Sequence, residues 1–134
     1  MISKLYVSKS LISPSDSDAV IAGIVVHARE RNATLGITGA LVFTGTRFAQ
    51  ILEGDSAAIH GLLDTIRLDS RHTDMFVFNE WAIERRLFRN WSMVYTGLSH
   101  YIGRAVSKPL AEAQRGSKPD LTHLVRLMVQ FAVH

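Results

Sequence analysis

The chain has 134 residues, 47% of them hydrophobic and 20% charged, which is one domain's worth and enough to hide roughly 68% of the unfolded surface on folding. Lys and Arg number 15 against 12 Asp and Glu, a net +3 in which only Glu84–Arg89 approaches the clustered basic patch expected of a nucleic-acid binder. Cysteine is absent, which excludes disulfides, thiolate metal sites, cysteine nucleophiles and any chemistry that needs a thiol adduct.

Residues 2–8 read as a short strand with Tyr6 toward one face and Leu5 and Val7 toward the other. The turn-rich Ser13–Asp18 supplies N-cap candidates for a helix on which Val20, Ile21, Ile24, Val25 and Ala28 recur at helical spacing. That helix is expected to end near Asn32, because Leu35–Gly39 turns to an extended pattern. Residues 37–43 and 47–53 form two strands around Thr44-Gly45-Thr46, with Phe48, Gln50 and Leu52 on one face and Ala49, Ile51 and Glu53 on the other. Glu53–Ser56 closes the second of these and opens a helix with the stripe Ile59, Leu62, Leu63 and Ile66, broken at Asp69–His72. Strands are predicted at 74–83 and 91–96. Ser107-Lys108-Pro109 opens a short helix that Gly116 ends, and Pro119-Asp120 opens another carrying Leu121, Leu124, Val125, Met128 and Phe131 on one stripe.

The order β-α-β-β-α-β-β predicts an α+β fold of the ferredoxin-like kind, two helices on one face of an antiparallel sheet, with the C-terminal helical extension covering the other. The N-terminus lacks the apolar run and cleavage site of a signal peptide. The longest apolar run, Ala19–Val26, falls far short of the ~20 residues of a membrane span. A soluble, cytoplasmic chain is expected.

Three polar residues stand where the pattern predicts burial: Gln50 between Phe48 and Leu52, Asn32 continuing the stripe of the first helix, and Tyr6 on the first strand. Each has an ordinary reading taken alone. Asn32 serves as a helix C-cap, Tyr6 as a core aromatic with its hydroxyl on a carbonyl, and Gln50 as a partner for an edge backbone group. Taken together, convergent amide and phenol groups between the helices and the sheet suit a planar heterocycle with imide edges, without naming it. His27, His60 and His72 have no metal-site spacing, Gly36–Gly39 lacks the spacing and Lys-Ser/Thr ending of a phosphate loop, and no nucleophile elbow is present.

With these residues assembled, the sequence resembles the BLUF family, blue-light sensors that use flavin adenine dinucleotide (FAD), from Ile2 to Thr96. The segments that carry the resemblance are Asn32–Leu41 and Arg47–Gly54, supported by Asp69–His72 and Arg86–Met93. It implies an isoalloxazine ring inserted between the two helices, Tyr6 as electron and proton donor, and Gln50 between that tyrosine and the flavin N5/O4 edge. It also implies Asn32 on the ring's carbonyl edge with Arg31 beside it, Asp69, Arg71 and His72 near the flavin, and Trp91 and Met93 linked to signal output. Gln50 is the member of the set whose side chain can exchange donor and acceptor by rotation or tautomerism, which would shift absorption to the red without a covalent bond.

Residues 1–97 would then be the flavin-binding body and 98–134 a helical extension packed on it. FAD is the expected cofactor, with FMN or riboflavin as substitutes in recombinant material. The reading is of a sensor and not an enzyme, since only residues 97–134 follow the last strand. Its signal would go to a separate, unidentified downstream protein or through a homo-oligomer, with neither membrane nor direct nucleic-acid binding. The alternative is a ferredoxin-like binding module, for nucleic acid or a small ligand, that no longer binds flavin.

Overall fold

The computed structural model describes residues 1–78, 80–89, 94–96, 107–108, 111–112 and 122–132. Its elements are β1 (Ile2–Ser10), α1 (Ser17–Leu35), β2 (Thr38–Phe43), β3 (Arg47–Gly54), α2 (Ser56–Arg67), β4 (His72–Val77), β5 (Trp81–Ala82), β6 (Val94–Thr96) and α3 (Thr122–Ala132). Residues 107–108 and 111–112 are helical, whereas most of the expected 107–116 helix lies outside the described residues.

The sheet runs β4-β1-β3-β2-β6, antiparallel except for the parallel β2–β6 pair, and β5 joins the edge of β1 beyond β4. The first four strands in space reproduce the ferredoxin-like order expected from the sequence. Strand alternation splits the core into two clusters. Tyr6, Leu41, Phe48 and Leu52 face α1 and α2, joined by Ile21, Val25, Ala28, Ile59, Leu62 and Leu63. Leu5, Val7, Ala40, Val42, Ala49 and Ile51 face the other way, where Phe78, Phe88 and the α3 residues Leu124 and Met128 meet them. The C-terminal helix therefore covers the second face as predicted. Leu124 and Met128 are each 1% exposed, and full burial of such side chains contributes roughly 1.5–3 kcal/mol apiece. Among the described residues no helix is long and apolar enough to cross a membrane.

Two boundaries differ from the sequence expectation. Helix α1 runs three residues past Asn32, because Gly36 takes the left-handed conformation (φ 68°, ψ 28°). Its amide reaches Ala33 O at 3.3 Å while Ile37 N reaches Asn32 O at 2.8 Å, a Schellman ending that satisfies the last carbonyls. The single strand expected at 74–83 is two strands. Between Val7↔Phe76 and Lys9↔Thr73 the β1–β4 register slips by one residue, and Asp74 sits at φ 53° in the resulting bulge. Past Phe78, whose amide bonds Leu5 O at 2.9 Å, the chain pairs again through β5 with Ile2 and Ser3. Of the strand expected at 91–96, Val94–Thr96 is described, and Leu121 lies outside the described residues.

One end of the sheet is fastened by a carboxylate. Glu53 is fully buried at the end of β3. Its oxygens accept the hydroxyl of Thr38 (3.0 Å) and the amides of Leu87 (2.6 Å) and Phe88 (2.9 Å). Arg86 donates to Thr38 Oγ1, to the backbone carbonyl of Glu53 and to the carbonyl of Gly36 at 2.8–3.0 Å.

Candidate functional site

Burial on the helix-bearing face brings Tyr6 and Gln50, directly opposed in the β1–β3 register, into contact. The phenol O–H donates to Gln50 Oε1 at 2.6 Å, with Tyr6 5% and Gln50 3% exposed. A buried pair of this kind is satisfied only as long as both partners remain, since an orphaned donor or acceptor there costs about 1–3 kcal/mol. Burial pushes the Tyr6 phenol far above its usual range; the nearby Arg31 charge pulls it down and Asp69 pushes it further up. Tyr6 is thus a neutral phenol whose proton points at an amide oxygen.

Over this pair lies a narrow cleft of about 60 Å³, partly open to solvent. Its floor is Tyr6, Leu41, Phe48 and Gln50 from the sheet. One wall is Ile24, His27, Ala28 and Arg31, which share a face of α1 by helical spacing. The other is Ile66 at the end of α2 and Asp69, Arg71 and His72 beyond it.

Asn32, fully buried, sits one residue past the α1 wall, and its Oδ1 accepts Arg31 Nε at 3.3 Å. It is not the helix C-cap, because Gly36 takes that position, so the asparagine side chain is not spent on ending the helix. Desolvation pulls the Arg31 guanidinium below its ordinary value, since burying a cation beside apolar walls disfavours its charge.

The second wall is braced by polar contacts. Arg71 grips Asp69 through Nε (2.9 and 3.1 Å) and Nη2 (2.5 Å) while its own amide bonds Asp69 Oδ1 at 2.9 Å. These hydrogen bonds hold the Asp69 carboxyl below the usual carboxylate range and raise Arg71. His72 Nε2 lies 2.7 Å from the carbonyl of Ile66, which can only accept, so that nitrogen carries a proton; Nδ1 lies 2.8 Å from Ser8 Oγ. The ring stands 6.1 Å from Tyr6 and edge-on to Phe48 at 6.4 Å, tying the end of α2 to the strand that carries the tyrosine.

Six of the residues singled out in the sequence, Tyr6, Arg31, Gln50, Asp69, Arg71 and His72, therefore line one cleft. Trp91 and Met93 lie outside the described residues. Ile24, His27, Ala28, Leu41, Phe48 and Ile66 line the cleft without having been singled out as site residues. His27 was legible in principle, because it stands three residues from Ile24 and four from Arg31 on the same helical stripe.

The donor set suits a flat heterocycle with imide edges: an amide and a phenol on the floor, guanidinium groups on both walls and aliphatic side chains between them. Phe43 and Phe48 are buried against each other at 5.0 Å, so these two strand aromatics offer no surface for stacking bases. Among the described residues no group of histidines and carboxylates could hold a metal ion.

Comparison with known proteins gives the same answer. The family model of BLUF, described as sensors of blue-light using FAD, matches residues 1–94. The photoactivated adenylate cyclase subunit beta of Euglena longa is 35% identical over 89 residues, 66% of this chain but 10% of that protein. The chain thus spans about a tenth of the length of the curated relatives it matches. Among solved structures, the dark state of BlrB, a BLUF protein, is 28% identical with a TM-score of 0.73, covering 96% of this chain and 92% of that one. The photo-activated state of BlsA superposes with a TM-score of 0.76 at 23% identity over 98% of this chain and 94% of that one, a likeness of fold.

Proposed function

This chain belongs to the BLUF family of flavin-binding blue-light sensors, and on that premise we propose that it is a photoreceptor whose cleft holds FAD between α1 and the end of α2. The observation that carries the proposal is the buried Tyr6–Gln50 hydrogen bond on the floor of that cleft. When bound, the flavin supplies the blue-light chromophore and an excited-state electron acceptor. The chain supplies the rest. Tyr6, kept neutral by burial, is the electron donor, and its proton leaves along the 2.6 Å bond to Gln50 Oε1. Gln50 carries both donors and an acceptor, so it can take that proton on Oε1 while giving one up from its NH2, or return it and rotate, and either change alters what it would present to the ring's edge.

Asn32 and Arg31 hold the carbonyl edge, and the Asp69–Arg71 pair with His72 fixes the opposite wall. The aliphatic groups of Ile24, Ala28 and Ile66 exclude water from the faces. Trp91 and Met93 serve signal output. FAD rather than FMN is the resident nucleotide, and residues 1–97 are the sensing body with 98–134 as a helical extension. The chain is itself a sensor and not an enzyme, working in the cytoplasm on a separate downstream protein or through a homo-oligomer. The curated relative named above is an adenylate cyclase subunit far longer than this chain.

The test is a visible absorption spectrum of the purified protein in the dark and after blue light. A yellow protein whose flavin bands move slightly to the red and relax in darkness is the expected result. A protein that stays colourless after flavin is added overturns the reading in favour of a ferredoxin-like binding module.

A further inference from the structure

The photochemical reading occupies the floor of the cleft and leaves the charges at its rim unused. Along α1 the wall grades outward: Ala28 is 3% exposed, Arg31 half-buried and His27 exposed. On the facing wall Asp69 is half-buried and Arg71 exposed. His27 and Arg31 stand one turn apart on the same stripe of the helix, so both flank the same side of the opening. Asp69 is the one carboxylate among the described residues that line the cleft, and Arg71 grips it through Nε and Nη2. Arg31 spends Nε on Asn32 Oδ1 at 3.3 Å and makes no ion pair among the described residues, which leaves its Nη1 and Nη2 donors for another partner. The two guanidinium groups feel each other across the opening, since Arg71 pushes Arg31 in the direction desolvation already takes it. Arg29 and Glu30 on α1 are exposed and of opposite sign. Two cations and one committed carboxylate therefore leave the rim positive, and His27 adds a further donor.

We propose that this rim is a phosphate subsite, in which His27 and the Nη groups of Arg31 engage the phosphate of the nucleotide and make the cleft select phosphorylated flavins over riboflavin. The inference deepens the flavin reading of the cleft and rests on it. With a planar ring on the floor at Tyr6 and Gln50, the ribityl chain that the ring carries has the open side of the cleft as its way out. The first charged group on that chain is a phosphate, and the rim there has the opposite sign. Guanidinium meets phosphate through paired N–H donors, and an anion between Arg31 and Arg71 relieves the repulsion of the two cations. His27 is the specificity-determining residue of the pair. Its ring takes no part in the Tyr6–Gln50 bond or the Arg31–Asn32 contact, so it acts on the phosphate without touching the groups that hold the heterocycle.

The experiment measures equilibrium binding of riboflavin, FMN and FAD to the full chain after its flavin has been dialysed away, for wild type, His27→Ala and His27→Glu. Wild type is expected to hold FMN and FAD about tenfold or more tightly than riboflavin, and the margin narrows as salt is raised, because the rim is open to solvent. His27→Ala loses roughly three- to tenfold in affinity for FMN and FAD and none for riboflavin. His27→Glu, which sets a carboxylate at the rim, loses more, again with riboflavin unchanged. Position 27 is exposed and alanine is the best helix former, so His27→Ala folds, and its riboflavin affinity reports an intact ring site. Equal affinity of wild type for riboflavin and FMN overturns the subsite. So does an unchanged FMN affinity in both variants, or a loss in His27→Ala that is the same for riboflavin as for FMN. A wild type that binds none of the three flavins overturns the flavin reading itself.

Discussion

The Tyr6–Gln50 pair makes a prediction in which stability and photochemistry can be checked on the same proteins. In Tyr6→Phe the amide oxygen of Gln50, 3% exposed, loses the donor now 2.6 Å away. In Gln50→Leu the phenol, 5% exposed, loses its acceptor. Each orphaned group costs about 1–3 kcal/mol, whereas removing both partners leaves neither group stranded. The double variant is therefore expected to be less destabilised than the sum of the singles, with a coupling of about 1–2 kcal/mol. Whatever else Gln50 touches is lost alike in the single and the double variant, so the cycle isolates the contact with tyrosine. Urea unfolding in the dark measures it. Flavin affinity is determined alongside, because a ligand that binds the folded state adds RT ln(1 + [L]/Kd). Under blue light, Gln50→Leu keeps its flavin and shows no red-shifted state, and Tyr6→Phe fails to form that state normally. Additivity of the two single costs within about 0.3 kcal/mol, or a reversible red shift of normal size in either variant, refutes the reasoning.

Burial raises the Tyr6 phenol in the folded state, so its contribution is intact below the unfolded tyrosine value near pH 10 and is lost as pH rises above it toward the folded value. Stability of wild type should thus fall more steeply above pH 10 than that of Tyr6→Phe, by up to about 1.4 kcal/mol per pH unit, as read from urea unfolding at stepped pH. The glycines divide sharply. A Cβ at Gly39 would lie 2.0 Å from the backbone oxygen of Ile51, so Gly39→Ala is expected to cost about 3 kcal/mol or more and to yield little soluble protein. Gly61, inside α2 with no atom within 4 Å of an added Cβ, should gain about 0.5–1 kcal/mol as alanine in the same unfolding assay.

What the sequence could reveal follows from the range of the interactions involved. The alternation Phe48, Gln50, Leu52 against Ala49, Ile51, Glu53 is a local property of a strand, and the two clusters of the core divide as it predicts. The burial of Asn32 was legible because it extends a stripe of period 3.6 through Ile21, Val25 and Ala28. The end of α1 was misjudged because the Gly36 ending depends on the carbonyls that its left-handed turn can reach. The bulge at Asp74 left no local mark, since a one-residue slip exists only relative to β1. The second cleft wall, Asp69 to His72, was legible only through resemblance to known sensors. Its contacts, His72 with Ser8 and the terminus of α2, join segments far apart in the chain.

Glu53 is the clearest case of a residue whose chemistry is hidden from the sequence. It occupies the apolar face of β3, where a carboxylate at a strand end reads as a solvated charge, and the donors that justify its burial come from Leu87 and Phe88, more than thirty residues onward. The alternation that sends Gln50 toward the cleft necessarily sends Glu53 the other way, because the two are separated by an odd number of positions. A single strand thus presents an exchangeable amide to one side of the sheet and a fixed acceptor to the other. A displacement of β3 along its own axis moves both, while a rotation of the Gln50 side chain alone moves neither Glu53 nor Phe88.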